Sequence, residues 1–243
     1  MTVAAGRPPR WSKKTDQLVD YVAQRCRPGL QSELGQWLES SPRFRAFVSA
    51  NQDKVRKKLN SADDDEGRLD VRAELRVAYQ IVGDRRCEVA FEAYGARRLG
   101  PDLTVTFRAN QRFNLEVTRV RAIDDAANSV ARLANVITGK LRQLPGDMPN
   151  ALVIAARGLA VDEDTLGAAT RLLKMHTDQK DDAFFAHRGL KDAREFYVHY
   201  LRLSGTFVLD EASVARRVIF ASNREARQPL SRAAVSALLQ SLG

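Results

Sequence analysis

Apolar and polar residues alternate strictly in two short runs near the middle of the chain. Leu103, Val105 and Phe107 interleave with Asp102, Thr104 and Thr106, and Phe113, Leu115 and Val117 interleave with Asn114, Glu116 and Thr118. A period of two predicts half-buried strands, with each residue type confined to one face. The polar residues 108–112 (RANQR) between the runs have a length suited to a hairpin loop. A symmetric turn sets Phe107 opposite Phe113, Thr104 opposite Glu116 and Asp102 opposite Thr118. Asp102 and Glu116 then become diagonal neighbours on one face, roughly 7–8 Å apart at the backbone. Two carboxylates so placed can converge on one divalent cation, and they repel each other if nothing neutralises them.

Helical periods flank this hairpin. Upstream, Val71, Leu75, Ala78 and Val82 form an apolar stripe, with Asp70 as N-cap and Gly83 as stop, and Glu74 lies on the edge of that stripe. Residues 87–91 (CEVAF) alternate as a further strand. Downstream, Ile123, Ala127, Val130, Ala134, Ile137, Leu141 and Leu144 recur at steps of 4 and 3, a long amphipathic helix that Pro145-Gly146 ends. Residues 151–156 (ALVIAA) are apolar on both faces, as in a buried parallel strand, so strand, helix and strand form a βαβ unit. Further on, Leu166, Ala169, Leu172 and Leu173 predict a helix, residues 205–209 and 218–220 predict strands, and Val235, Leu238, Leu239 and Leu242 predict a last helix.

The first 62 residues read as helices alone. Leu18, Val19, Val22 and Ala23 mark one, which Arg27-Pro28-Gly29 breaks. Leu34, Trp37 and Leu38 mark a second, and Ser40-Ser41-Pro42 opens a third carrying Phe44, Phe47 and Val48. Lys54, Arg56, Lys57 and Lys58 follow at helical spacing around Val55 and Leu59. The run 63–67 (DDDEG) reads as a polar linker, giving a basic helical region over 1–62 and a second domain over 68–243. Its acids lack the spacing of a calcium loop.

Charge changes the picture more than composition does. The 243 residues are 44% hydrophobic and 28% charged, as in ordinary globular chains, but the net charge is +9. Residues 1–62 hold 12 Lys and Arg against 5 Asp and Glu, a net +7. An anionic partner follows, nucleic acid being the commonest, and the strip Lys54, Arg56, Lys57 and Lys58 is the candidate for phosphate contact; the other reading of that strip is a solvated face. No apolar run approaches the length of a membrane span, and the first residues lack a secretory h-region. Cys26 and Cys87 form no disulfide framework or metal cluster and read as reduced thiols in a cytoplasmic protein.

Several chemistries drop out. His176, His187 and His199 show no metal-ligand spacing, no nucleophile elbow occurs, and the G-x-x-x-x-G at 95–100 is followed by Pro and Asp rather than Lys and Ser or Thr. The carboxylates Glu74, Asp102 and Glu116 remain. Oxygen ligands suit a hard divalent cation, which acts on phosphates.

A helix bearing Glu74, then Pro101-Asp102, then Glu116-x-Thr118, in the order αβββαβ, resembles the PD-(D/E)xK phosphodiesterase superfamily over residues 70–156. The resemblance implies an α/β, restriction endonuclease-like mixed sheet with an N-terminal helical region added, and a metal-dependent nuclease. It implies that Asp102 and Glu116 bind Mg²⁺ (or Mn²⁺), with the Val117 carbonyl as a further ligand, and that Glu74 assists through metal or water. The implied partner is nucleic acid, DNA ahead of RNA, with no membrane, and a homodimer is compatible. The family's lysine belongs where this chain has Thr118, and alternation sends Arg119 to the other face. Lys140, on the long helix with Gln143 on the same side, is the replacement candidate. Two other readings stay open: Glu74 as a boundary glutamate paired with Arg76 or Arg85, and Lys140 as an edge lysine whose stem covers apolar surface. Thr118 keeps a third open, a nuclease-like fold that binds nucleic acid without cutting it.

Overall fold

The computed structural model describes residues 11–95, 100–120, 129–156, 161–210 and 217–243. The chain forms two compact units, residues 1–83 and 84–243.

The first unit is helical: α1 (Lys13–Ala23), α2 (Pro28–Ser40), α3 (Pro42–Ala50), α4 (Gln52–Ser61) and α5 (Asp65–Gly83). The chain breaks between Ala23 and Pro28, as Arg27-Pro28-Gly29 predicts, and Pro28 itself begins α2 at the first helical position, where a missing N–H costs nothing. Ser41 caps α3 by accepting from Phe44 N at 3.2 Å, and Pro42 follows it. Helix α5 starts at Asp65, not beyond Asp70. Asp64 Oδ1 accepts from Gly67 N at 2.7 Å, a cap at the end of the acidic run, and Asp65 and Glu66 occupy the first turn, where the helix dipole favours acids. The residues 63–67 expected as a linker therefore open a helix, and the division between units falls at Gly83 rather than between 62 and 68. Trp37 stacks on Tyr79 at 5.5 Å between ring centroids, and Phe44 meets Tyr79 edge-on at 5.3 Å, so α5 joins the aromatic core of α2 and α3. Arg72 also donates to Glu33 Oε1 of α2 at 2.7 Å.

The second unit is a mixed sheet with helices. Its elements are β1 (Cys87–Phe91), β2 (Leu103–Phe107), β3 (Gln111–Val120), α6 (Ser129–Lys140) with a 3₁₀ turn (Leu141–Gln143), β4 (Asn150–Ala156), α7 (Glu163–Asp178), α8 (Asp182–Ala186), α9 (Ala193–Tyr200), β5 (Leu203–Asp210), β6 (Val218–Ser222) and α10 (Arg232–Leu242). Among the described residues the strands lie in the order β1-β2-β3-β4-β5-β6. The first three form an antiparallel meander, β3, β4 and β5 run parallel, and β6 is antiparallel to β5. Every residue of β4 is buried, as its two-faced apolar sequence predicts. Leu133, Ala134, Ile137 and Leu141 of the α6 segment pack in one core with Val120, Leu152, Ile154 and Phe196. This sets α6 against the face of β3 that carries its even-numbered residues. Ile123 and Ala127, expected at the start of this helix, lie outside the described residues.

The hairpin register differs from the symmetric one. Phe107 pairs with Gln111, Val105 with Phe113 and Leu103 with Leu115. Arg108 and Ala109 both take positive φ (50° and 64°), the feature of the tight mirror-image turns that match strand twist. Arg108 N donates to Arg86 O at 2.8 Å, which anchors the turn to the residue before β1. The loop is therefore residues 108–110, and β3 slides two positions along β2. A two-residue slip keeps each side chain on its face.

Candidate active site

The slip brings the two acids closer. Continuing the register one position past Leu103–Leu115 sets Asp102 directly opposite Glu116. Asp102 O accepts from Glu92 N at 2.8 Å, so its backbone bonds toward β1 and away from β3. Asp102, one residue before β2, thus takes the place of a non-hydrogen-bonded partner of Glu116, the closer kind, for which a regular ladder sets Cβ atoms about 4.5–5.5 Å apart. The expected diagonal spacing is replaced by direct opposition.

The next position along explains the proline before Asp102. Continuing the register, Pro101 faces Val117. Proline has no N–H to give the Val117 carbonyl. The Val117 N–H is taken by the Asp102 side chain, with Oδ2 accepting at 2.9 Å. In a strand the N–H and C=O of one residue leave from the same edge, so the Val117 carbonyl points to the side where Asp102 lies. Pro101 thus stops the ladder where the aspartate begins.

Glu116 is only 2% exposed, and Lys140 Nζ donates to its Oε1 at 2.8 Å. Lys140 is the last residue of α6, where a cation suits the helix dipole, and its side chain is 28% exposed. A carboxylate this deep needs a partner, because an unpaired buried charge is costly. Asp102, Glu116, the Val117 backbone and Lys140 are thus brought together. Gln143 is half-buried on the 3₁₀ turn that follows, and Thr118 is half-buried on the Glu116 face of β3.

Glu74 belongs to the first unit. It is 6% exposed, and its Oε2 lies 2.6 Å from Lys58 Nζ. Lys58 is thus an ion-pair partner of Glu74. The expected cationic strip is divided accordingly: Lys58 turns to Glu74, Arg56 stacks on Tyr21 with Cζ 4.6 Å from the ring centroid, and Lys54 and Lys57 are exposed on α4.

A row of buried polar side chains lies one pleat from Glu116, where the sequence pattern points to an open polar face. Thr104 Oγ1 donates to Asn114 Oδ1 at 2.8 Å. Asn114 Nδ2 donates to Tyr94 Oη and to Asn150 Oδ1, each at 3.0 Å. Asn150 Nδ2, with two hydrogens to give, in turn lies within hydrogen-bond distance of three carbonyls, those of Pro145 and Met148 at 2.8 Å and Arg202 at 3.0 Å. The row ties β2, β3 and β4 together beside the acids. Its one sequence signal is an asparagine opening the otherwise apolar β4.

Among the described residues no three His, Cys, Asp or Glu side chains gather as a metal-holding group. The all-oxygen set of Asp102, Glu116 and the Val117 carbonyl still fits Mg²⁺, which commonly takes one or two carboxylates and completes its shell with water and substrate phosphate. Cys26 and Cys87 are buried free thiols. Among the described residues no helix is long and apolar enough to cross a membrane. Comparison with known proteins returned no matching family model, no similar curated protein and no similar solved structure.

Proposed function

We propose that the chain is a cytoplasmic, metal-dependent nuclease with a restriction endonuclease-like core, hydrolysing phosphodiester bonds of nucleic acid, DNA ahead of RNA. The observation that carries this reading is the Asp102 carboxylate held on the Val117 N–H at 2.9 Å, next to Glu116 with the Lys140 ammonium 2.8 Å from it. Asp102, Glu116 and the Val117 carbonyl would hold Mg²⁺ or Mn²⁺. A divalent cation bound there polarises a phosphoryl oxygen and lowers the pKa of a bound water. The Val117 N–H fixes one oxygen of Asp102, which presets the carboxylate. Lys140 supplies the cation that Thr118 does not: it pairs with Glu116 in the resting protein and reaches the negative charge that develops on the phosphate oxygens. Gln143, one turn of chain further, orients the attacking water. Glu74, expected to assist at the metal, pairs with Lys58 within the first unit.

Thr118 and the closed Lys140–Glu116 pair favour a second reading, a nuclease-like fold that binds nucleic acid without cutting it. Purified protein incubated with plasmid DNA, single-stranded DNA and RNA, in Mg²⁺, Mn²⁺ or EDTA, separates the two. Metal-dependent cleavage that Asp102→Ala and Glu116→Ala abolish supports the nuclease. Salt-sensitive binding with no cleavage of any substrate leaves the binding protein.

A further inference from the structure

The helical unit has a groove between α1 and α3, with a volume of about 530 Å³. Lys14, Gln17, Tyr21, Arg45, Ser49 and Gln52 line it. Lys14, Gln17 and Tyr21 share one face of α1 at steps of 3 and 4, while Asp16 falls away from that face and Asp20 lies at its edge beside Gln17. The acids nearest the groove are engaged. Asp53 Oδ1 accepts from the Tyr21 hydroxyl at 2.6 Å, and Glu39 Oε2 accepts from the hydroxyls of Ser12 and Thr15 at 2.8 and 2.7 Å. Arg45 Nη1 is steadied by the Leu38 carbonyl at 3.0 Å and lies 3.9 Å from Glu39. Tyr21 is 38% exposed yet fixed, by its hydroxyl on Asp53 and by Arg56 stacked on its ring.

A cationic groove with a fixed, exposed aromatic ring has a specific chemical use. Lysine and arginine pair with a phosphate backbone, and an aromatic ring stacks an unpaired base. A duplex keeps its base faces stacked inside and gives such a ring nothing to hold. We infer that the groove between α1 and α3 binds single-stranded nucleic acid, with Lys14 and Arg45 on backbone phosphates and a base against Tyr21. The net charge of +7 over residues 1–62 complements that polyanion. This site rests on the reading that the partner is nucleic acid, but not on the protein's cutting it.

The test uses the full chain in EDTA, with binding read by fluorescence anisotropy. The probes are labelled oligothymidylate and oligouridylate of about 20 nucleotides, a length that exceeds the usual single-strand site, and a duplex of equal length. Single strands, DNA or RNA, should bind more tightly than the duplex. Tyr21→Ala should weaken that binding about tenfold, and Tyr21→Trp should restore it. Lys14→Glu, at an exposed position that leaves the fold intact, should reduce the slope of log K against log salt by about 0.7 or more. Preference for the duplex overturns the inference, as does binding unchanged in these variants but lost in Lys54→Glu/Lys57→Glu. Wild-type protein that cleaves in Mg²⁺ but binds no single strand in EDTA overturns the groove and leaves the nuclease. Groove-dependent binding without cleavage does the reverse.

Discussion

Lys140 Nζ lies 2.8 Å from Glu116 Oε1, so the most deeply set acid of the second unit's candidate site is paired across the gap between α6 and β3. Breaking such a pair leaves a buried charge alone, whereas replacing both partners with apolar groups removes the need for it. Lys140→Met should therefore destabilise the protein by about 3 kcal/mol, and Glu116→Leu/Lys140→Met should lie within about 1 kcal/mol of wild type. Urea unfolding measures both. A double variant no more stable than Lys140→Met would show that the pair is not the source of the loss. Metal-dependent cleavage should be absent from both variants.

Asp102 has two separable tasks, charge and hydrogen bonding. Asp102→Asn keeps a side-chain oxygen for the Val117 N–H but removes the charge, and Asp102→Ala removes both. Amide exchange at Val117 should accelerate in the alanine variant and stay slow in the asparagine variant, with a stability difference of about 1 kcal/mol. Cleavage should vanish in both. An active Asp102→Asn would refute a role for the carboxylate's charge.

Asn150 gathers three carbonyls and Asn114 within a site that is fully buried. Asn150→Leu strands those acceptors and should cost about 3 kcal/mol. The loss, read from the thermal midpoint, should exceed that of Asn114→Leu, which frees fewer groups. Equal losses would place the weight of the row on Asn114 instead.

Burial pushes the His199 pKa below its usual 6.5, and the Arg202 charge adds to the effect against the opposing pull of Glu195. A depressed histidine is neutral in the folded protein where the unfolded chain already binds a proton. Stability therefore falls as pH drops through about 6.5 toward the lower folded value. The carboxylates Asp162, Asp181 and Glu195, held below their ordinary values by hydrogen bonds from neighbouring groups, lose their contributions only at more acid pH. His199→Gln should flatten the melting profile near pH 6.5 while leaving the acid limb; an unchanged profile assigns the slope to another group.

The strands and helices were legible where apolar residues kept a strict period, as in β2, β3, β4 and α6. Register was not, because Arg108 and Ala109 take positive φ without the glycine or asparagine that signals it. The start of α5 was hidden because an acidic run reads alike as a linker or a favourable first turn. Lys140 could be placed from its position at the edge of the α6 seam. The pairing of Glu74 with Lys58 could not, since Lys58 reaches it from a separate helix. Asn114 shows the limit of alternation, which predicts that a residue shares a face with Glu116 but not that the face is covered.

The neighbour-by-neighbour strand order bears on the sequence of folding events. Asp102 and Glu116 are fourteen residues apart and meet when a local hairpin closes, whereas β3 and β4 pair residues such as Asn114 and Asn150 across the whole of α6. Short-range closure precedes long-range docking when loop entropy governs the rate. The hairpin would then form with two like charges face to face, before Lys140 arrives to offset them. On that ground Glu116→Gln should quicken refolding even while it weakens the finished protein, an opposition of rate and stability that stopped-flow kinetics would reveal.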